Sequence, residues 1–221
     1  MKKRTGLIVL LSAASAGYLF GLRPWHLKWG AMAEEVAAPM PGDEIVPQPR
    51  LLSTRAISIP AAPGRIWPWL VQIGFQRGGW YSYDQLEAMA GVADFADGHS
   101  ARRILPEFQS LQVGDMIKTD PGGGFTVTAL EPERLMVLRA RIDMQGRHAS
   151  LEGPCPAGQF EATWVFALHS LDEANTRLTA RFRATFGESI PMALFAYLML
   201  EPAVFVMERK MLLGIRQRAT G

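Results

Sequence analysis

Between Arg77 and Glu87 the chain reads "RGGWYSYDQLE", with two glycines, three aromatics and two carboxylates in eleven residues. Tyrosines beside carboxylates suit proton transfer or the grip on a polar ligand. A catalytic reading makes Tyr81 or Tyr83 a proton donor and Asp84 or Glu161 a base, assisting enolisation and ring closure. The competing reading is structural and weighs more. Asp84 stands three residues before Glu87, close to a capping box, so Asp84 is expected as a helix N-cap and Tyr83 as the anchor of that corner. No catalytic residue is assigned.

Other chemistry has less support. His26, His99, His148 and His169 lie far apart and form no HExxH or His-x-His pair, so no metal is expected, nor any other cofactor. "DPGGGF" leads into a strand pattern, whereas a phosphate cradle needs a helix behind its glycines; it is expected as a hairpin turn. No Gly-x-Ser-x-Gly elbow is present. Cys155, the single cysteine, lies between prolines with no activating neighbour, which describes an inert loop thiol. A net charge of +2 with dispersed Lys and Arg excludes a nucleic-acid footprint.

The elements that must position these residues begin with a membrane-targeting pattern. Lys2, Lys3 and Arg4 precede a run without charge from Thr5 to Leu22, which as a helix is about 27 Å long, close to the thickness of a bilayer's hydrocarbon. Trp25 and Trp29 beside Arg23 and Lys28 are the mixture found at membrane interfaces. Residues 1–30 are therefore expected to be a single-pass N-terminal membrane anchor. The alternative is a signal segment cleaved after Ala14-Ser15-Ala16, giving a secreted or periplasmic protein. Residues 31–50, rich in proline and acidic side chains, read as a linker or an extended lead-in strap, and residues 51–221 as one domain.

In that domain "LLSTRAISI" alternates as a strand, "PAAPGRIWPWLVQIG" reads as a helix, and "YDQLEAMAG" as a second short one ended by Gly91. Strand patterns follow at 113–119, 124–131, 134–141, 159–170 and 176–186. In the last, Leu178, Ala180, Phe182, Ala184 and Phe186 share a core face, and Arg177, Arg181 and Arg183 share a face expected to be wet. From Ile190 to Leu200 the chain is apolar all round, and helical spacing continues through Val204, Met207, Met211 and Ile215.

This order, with "RAISIPAAPGRIWPWLVQIG", "GGWYSYDQLE", "LQVGDMI", "GFTVTALEPERLMVLRA", "ATWVFAL" and "EPAVFVMERKMLLGIR", resembles the SRPBCC superfamily of START and Bet v 1-like helix-grip proteins, and its bacterial members with an N-terminal hydrophobic segment. The likeness covers Leu51 to Arg218. It implies an α+β helix-grip fold, a curved antiparallel sheet wrapped around a long C-terminal helix with two short helices after the first strand. It also implies a cavity that takes a hydrophobic ligand. Trp67, Trp80, Tyr83, Trp164, Phe166, Phe182, Phe195 and Leu198 are the candidates to line it. The expected function is binding of a hydrophobic small molecule or lipid, for transport or sequestration at the membrane, rather than catalysis. The alternatives are a polyketide cyclase or dehydratase-like enzyme, which needs an ionisable group inside the cavity, and a membrane-associated interaction module, which needs the cavity filled solid.

Overall fold

The structure, a computed structural model, describes residues 17–89, 91, 93, 95, 98–143, 147–156, 158–187 and 190–221. Its frame is a six-stranded antiparallel sheet in the order β1-β6-β5-β4-β3-β2. The strands are Leu51–Ile59 (β1), Met116–Asp120 (β2), Gly123–Glu131 (β3), Leu135–Ile142 (β4), Phe160–Ser170 (β5) and Thr176–Thr185 (β6). All six fall on the alternating segments, because a strand with one face on a core must repeat every second residue. The "DPGGGF" stretch makes the β2 to β3 turn, where Asp120 Oδ1 accepts the Gly122 N–H at 2.6 Å.

The helices are Arg23–Leu27 (α1), Ala33–Ala37 (α2), Pro63–Val71 (α3), Asp84–Met89 (α4), Ile190–Phe195 (α5) and Glu201–Thr220 (α6). A π-helical turn, Ala196–Leu200, joins α5 to α6, and another, Tyr18–Leu22, runs into α1. Each π turn stands just before a proline, Pro24 or Pro202, at the second position of the following helix. A proline ring crowds the carbonyl four residues before it, and widening the turn relieves the crowding while the helix continues. α6 lies against the inner face of the sheet, and the main core, which includes Ile59, Ile66, Leu138, Phe166, Leu178 and Leu212, fills the space between them. This is an α+β grip of a long helix by an antiparallel sheet.

The N-terminal expectation is corrected. Among the described residues no helix is long and apolar enough to cross a membrane, so a single-pass anchor finds no support. Residues 1–16, with most of the uncharged run and the Ala14-Ser15-Ala16 site, lie outside the described residues. At the described end of that run Leu19, Phe20 and Leu22 are exposed, and two polar ties hold the chain to the domain. Arg23 makes a two-pronged bond to Glu201, at 2.7 and 2.8 Å, and Tyr18 donates to the Tyr197 carbonyl at 2.7 Å. His26 is buried with its ring 5.3 Å from that of Phe205.

The strip from Gly30 to Pro47 crosses the outer face of the sheet. Gly30 sits at φ 71° over Ala56, where a Cβ would collide with the Ala56 carbonyl, so the chain enters the strip flat against β1. Arg177, Arg181 and Arg183, expected to be wet, are its fastenings. Arg181, only 2% exposed, donates to Thr54 Oγ1 (3.0 Å), Asp43 (2.7 Å) and the carbonyls of Glu35 (2.7 Å) and Ala38 (2.8 Å). Arg177 holds the Glu35 carboxylate, and Arg183 donates to the Val46 carbonyl. Met40 and Ile45 pack over Leu135, Val137 and Val165. Arg181→Met is expected to lower stability by about 2–4 kcal/mol, since several buried acceptors lose one shared donor. Hydrogen exchange should show faster deuteration of residues 33–46 than of β4 and β5.

Candidate functional site

The "RGGWYSYDQLE" segment is fixed from both ends. Arg77 donates to the carbonyls of Val71 (2.7 Å) and Ile73 (3.1 Å) and lies 4.6 Å over the Phe108 ring. Tyr81, not Tyr83, is the corner anchor. It is buried, its hydroxyl donates to the Trp69 carbonyl at 3.1 Å, and Arg218 lies 4.4 Å over its ring. Burial pushes its pKa up, which removes it further from proton transfer near neutrality. Gly214 of α6 touches this corner, since a Cβ there would strike the Tyr81 carbonyl. Tyr83 is 39% exposed and faces an outer groove.

Asp84 does not cap its own helix as expected. It opens α4, and its carboxylate accepts the Ser100 N–H at 3.1 Å and the Ser100 hydroxyl at 2.6 Å. That bond ties α4 to a distant loop and sets the helix's rotation. The result is inverted: Leu86 and Met89 are exposed, while Glu87 is 1% exposed.

Glu87 lines a cavity of about 510 Å³ bounded by the sheet, α6 and this segment. Ala140 and Ile142 of β4, Phe160 and Trp164 of β5 and Phe182 of β6 form its floor. Val204, Met207 and Met211 of α6 form the roof, with Leu200 and Ala203 beside them, and Trp80 with Phe125 closes one side. The Trp80 and Trp164 rings stack at 5.7 Å. Ala203 lines the cavity and is also exposed, so it stands at the mouth.

Polar groups enter this space at few points. Neither Glu87 oxygen has a hydrogen-bond partner among the described residues. Burial, then the nearby Asp84 charge, raises the Glu87 pKa to about 7. Glu208 of α6 is satisfied: Oε1 accepts Trp164 Nε1 at 2.7 Å, and Oε2 pairs with the buried Arg55 of β1. Asp120, Thr119, His148 and Ser82 complete the polar lining.

Of the residues the sequence nominated for the cavity, Trp80, Trp164 and Phe182 line it. Phe166 lies in the main core beneath Trp164, with ring centroids 4.9 Å apart, and Trp67 packs against the same core. Phe195 and Leu198 are corrected to the outside, at 56% and 53% exposure, and Tyr83 belongs to the outer groove. Glu161 points away from the cavity, on the strand face opposite Trp164, and holds Arg139 and Arg141 at 2.9 Å. Burial alone would raise its pKa, but the bonds from these two arginines prevail and hold it below the usual carboxylate range. Cys155 is a half-buried thiol whose pKa is raised, first by burial. Glu87 was missed as a site residue because its spacing from Asp84 reads equally as a cap partner. Nothing in "YDQLEAM" says that the carboxyl faces in and the leucine out.

No family model matches the chain, and no curated protein does. Solved structures resemble it at low identity. A protein of Nitrosomonas europaea has 12% identity and a TM-score of 0.45, over 83% of this chain and 98% of that one. A conserved protein of Geobacillus kaustophilus has 14% identity and a TM-score of 0.41, over 77% and 95%. An aromatase/cyclase of a Streptomyces species has 12% identity and a TM-score of 0.34, over 77% and 93%. Likeness at this level carries no argument about function.

Proposed function

We propose that the protein binds a hydrophobic small molecule in the cavity between its sheet and α6. The observation that carries this reading is the cavity itself. About 510 Å³ lies within the range of small-molecule sites, and the lining is mostly apolar with a few polar groups, among them Glu87, Asp120 and His148. Removing an alkyl chain from water in such a space supplies ~0.8 kcal/mol per methylene, and the polar groups orient the head. The space is not filled by Trp164 and Phe182, which argues against a purely structural interaction module. A cyclase-like enzyme loses the bases first considered for it, since Asp84 is bonded to Ser100 and Glu161 lies on the outer face, and keeps only Glu87 as an ionisable carboxyl in the lining without a described partner.

Two measurements test the binding. Native mass spectrometry of the full chain purified from cells is expected to show a co-purifying apolar compound, and added hydrophobic ligands to quench tryptophan emission through Trp80 and Trp164. Ala203→Trp places an indole at the mouth without disturbing buried packing, and should weaken binding by about tenfold or more, a loss of ~1.4 kcal/mol. A protein that carries no such compound, and whose melting point no apolar ligand shifts, would sink the reading.

A further inference from the structure

Resting on that reading, we infer that the ligand class is a hydrophobic amine, held by its protonated nitrogen against the Glu87 carboxylate with its apolar body between Trp80, Trp164 and α6. The lining is unbalanced. Glu87 offers two buried oxygens with no partner among the described residues, and a buried acceptor left unmade is costly. A ligand supplying an N⁺–H donor there repairs that deficit with a charge-assisted bond, the strongest kind available to a carboxylate.

The neighbouring groups favour a cation over an anion. Asp84 lies one turn earlier on α4, and Asp120 of β2 shares the cavity with its carboxylate bonded to Thr119 Oγ1 and the Gly122 N–H. Glu208 of α6 is neutralised by Arg55. No lysine or arginine lines the cavity among the described residues, and His148 is its one basic side chain. Lys210 of α6 is directed instead to the Tyr83 ring in the outer groove. A fatty acid would set its carboxylate against these acids. An alcohol would satisfy an oxygen without the charge.

Three ligands of one length, octylamine, octanol and octanoate, separate the possibilities on the full-length protein, with Trp emission as the readout. Octylamine should bind about tenfold or more tightly than octanol at about pH 8, where the carboxyl is ionised and the amine, like lysine, stays protonated. Octanoate should bind weakest. Because Glu87 takes up a proton at about pH 7, the amine-to-alcohol ratio should shrink as pH falls to about 5.5, and amine binding below neutrality should release protons. In Glu87→Gln the preference should collapse to within about threefold while octanol binding persists. Should that variant not fold, the pH dependence of the ratio in the parent protein decides. Equal binding of amine and alcohol, a flat ratio, or tightest binding of octanoate overturns the inference while hydrophobic binding stands. If none of the three binds, both fall together.

Discussion

Without added ligand, Glu87→Gln should stabilise the protein by about 2–3 kcal/mol at about pH 8, and by under about 1 kcal/mol at about pH 5. The carboxyl's ordinary value of 4.5 is raised to about 7, first by burial and then by Asp84. Between those values the folded state keeps a proton that the unfolded chain gives up. Stability therefore falls as pH rises from 4.5 to 7, and the full cost remains above that window. Glutamine cannot ionise and escapes it. His26 works in the opposite sense. Burial, then Arg55 and Arg23, lower its pKa from 6.5 to about 4, so stability is lost as pH falls through that range. The two windows overlap and their slopes oppose, so the parent protein should show little net slope from this pair between them. Urea melts at a series of pH values should find Glu87→Gln more stable above about pH 4.5, by a margin that grows up to about pH 7, with a rising slope below pH 6.5 that belongs to His26.

The second large effect is expected at the pair beneath the cavity roof. Arg55 is 1% exposed on the inner face of β1, pairs with Glu208, donates to the His26 carbonyl at 2.8 Å and lies 5.3 Å from the Phe205 ring centre. Arg55→Met should cost about 3–5 kcal/mol, because Glu208 is left as an uncompensated buried carboxylate. Arg55→Met combined with Glu208→Gln removes that charge and should recover at least about half of the loss, since neutral replacement of a buried pair is often tolerated. A double-mutant cycle by chemical denaturation measures this directly. Simple additivity of the two changes would mean that the pair is not coupled.

Much of the frame was legible because it depends on periodicity. The six strands, the hairpin at the glycine run and the helix along Val204, Met207, Met211 and Ile215 each follow from which residues must avoid water. The grip helix and sheet were therefore readable, and with them three aromatic residues of the cavity wall. A lead-in strap at residues 31–50 was one of two readings, but the face it lies on was not legible. Arg181 recognises the strap through the carbonyls of Glu35 and Ala38, and a carbonyl belongs to every residue alike, so no pattern marks the partner. A row of arginines on alternate positions reads as a solvated face until something is found lying on it. The rotation of α4 was hidden for a related reason. It is set by Asp84 reaching Ser100 and by Tyr81 reaching Trp69, contacts between separated segments that override the helix's own amphipathic pattern. The run before Arg23 shows at its described end what freedom from charge cannot: Tyr18 and Arg23 tie it to the domain through a hydroxyl and a guanidinium, while Leu19, Phe20 and Leu22 stay exposed.

The strand order also sets a timetable for folding. β1 pairs along its whole length with β6, from Leu51 opposite Ala184 to Ile59 opposite Thr176. β2 through β6 each lie beside the strand next in sequence, and four successive hairpins can form as the chain appears. β1 cannot. While the ribosome adds roughly 5–20 residues per second, its apolar positions wait on the order of 10 s for a partner more than a hundred residues away. The segment that later binds the outer face and α6 waits with it, because both of its docking surfaces are made afterwards. Sheet closure at β1 is thus the long-range, entropically costly step of assembly. During that interval Leu51, Ile57 and Ile59 are an unpaired apolar face open to a chaperone.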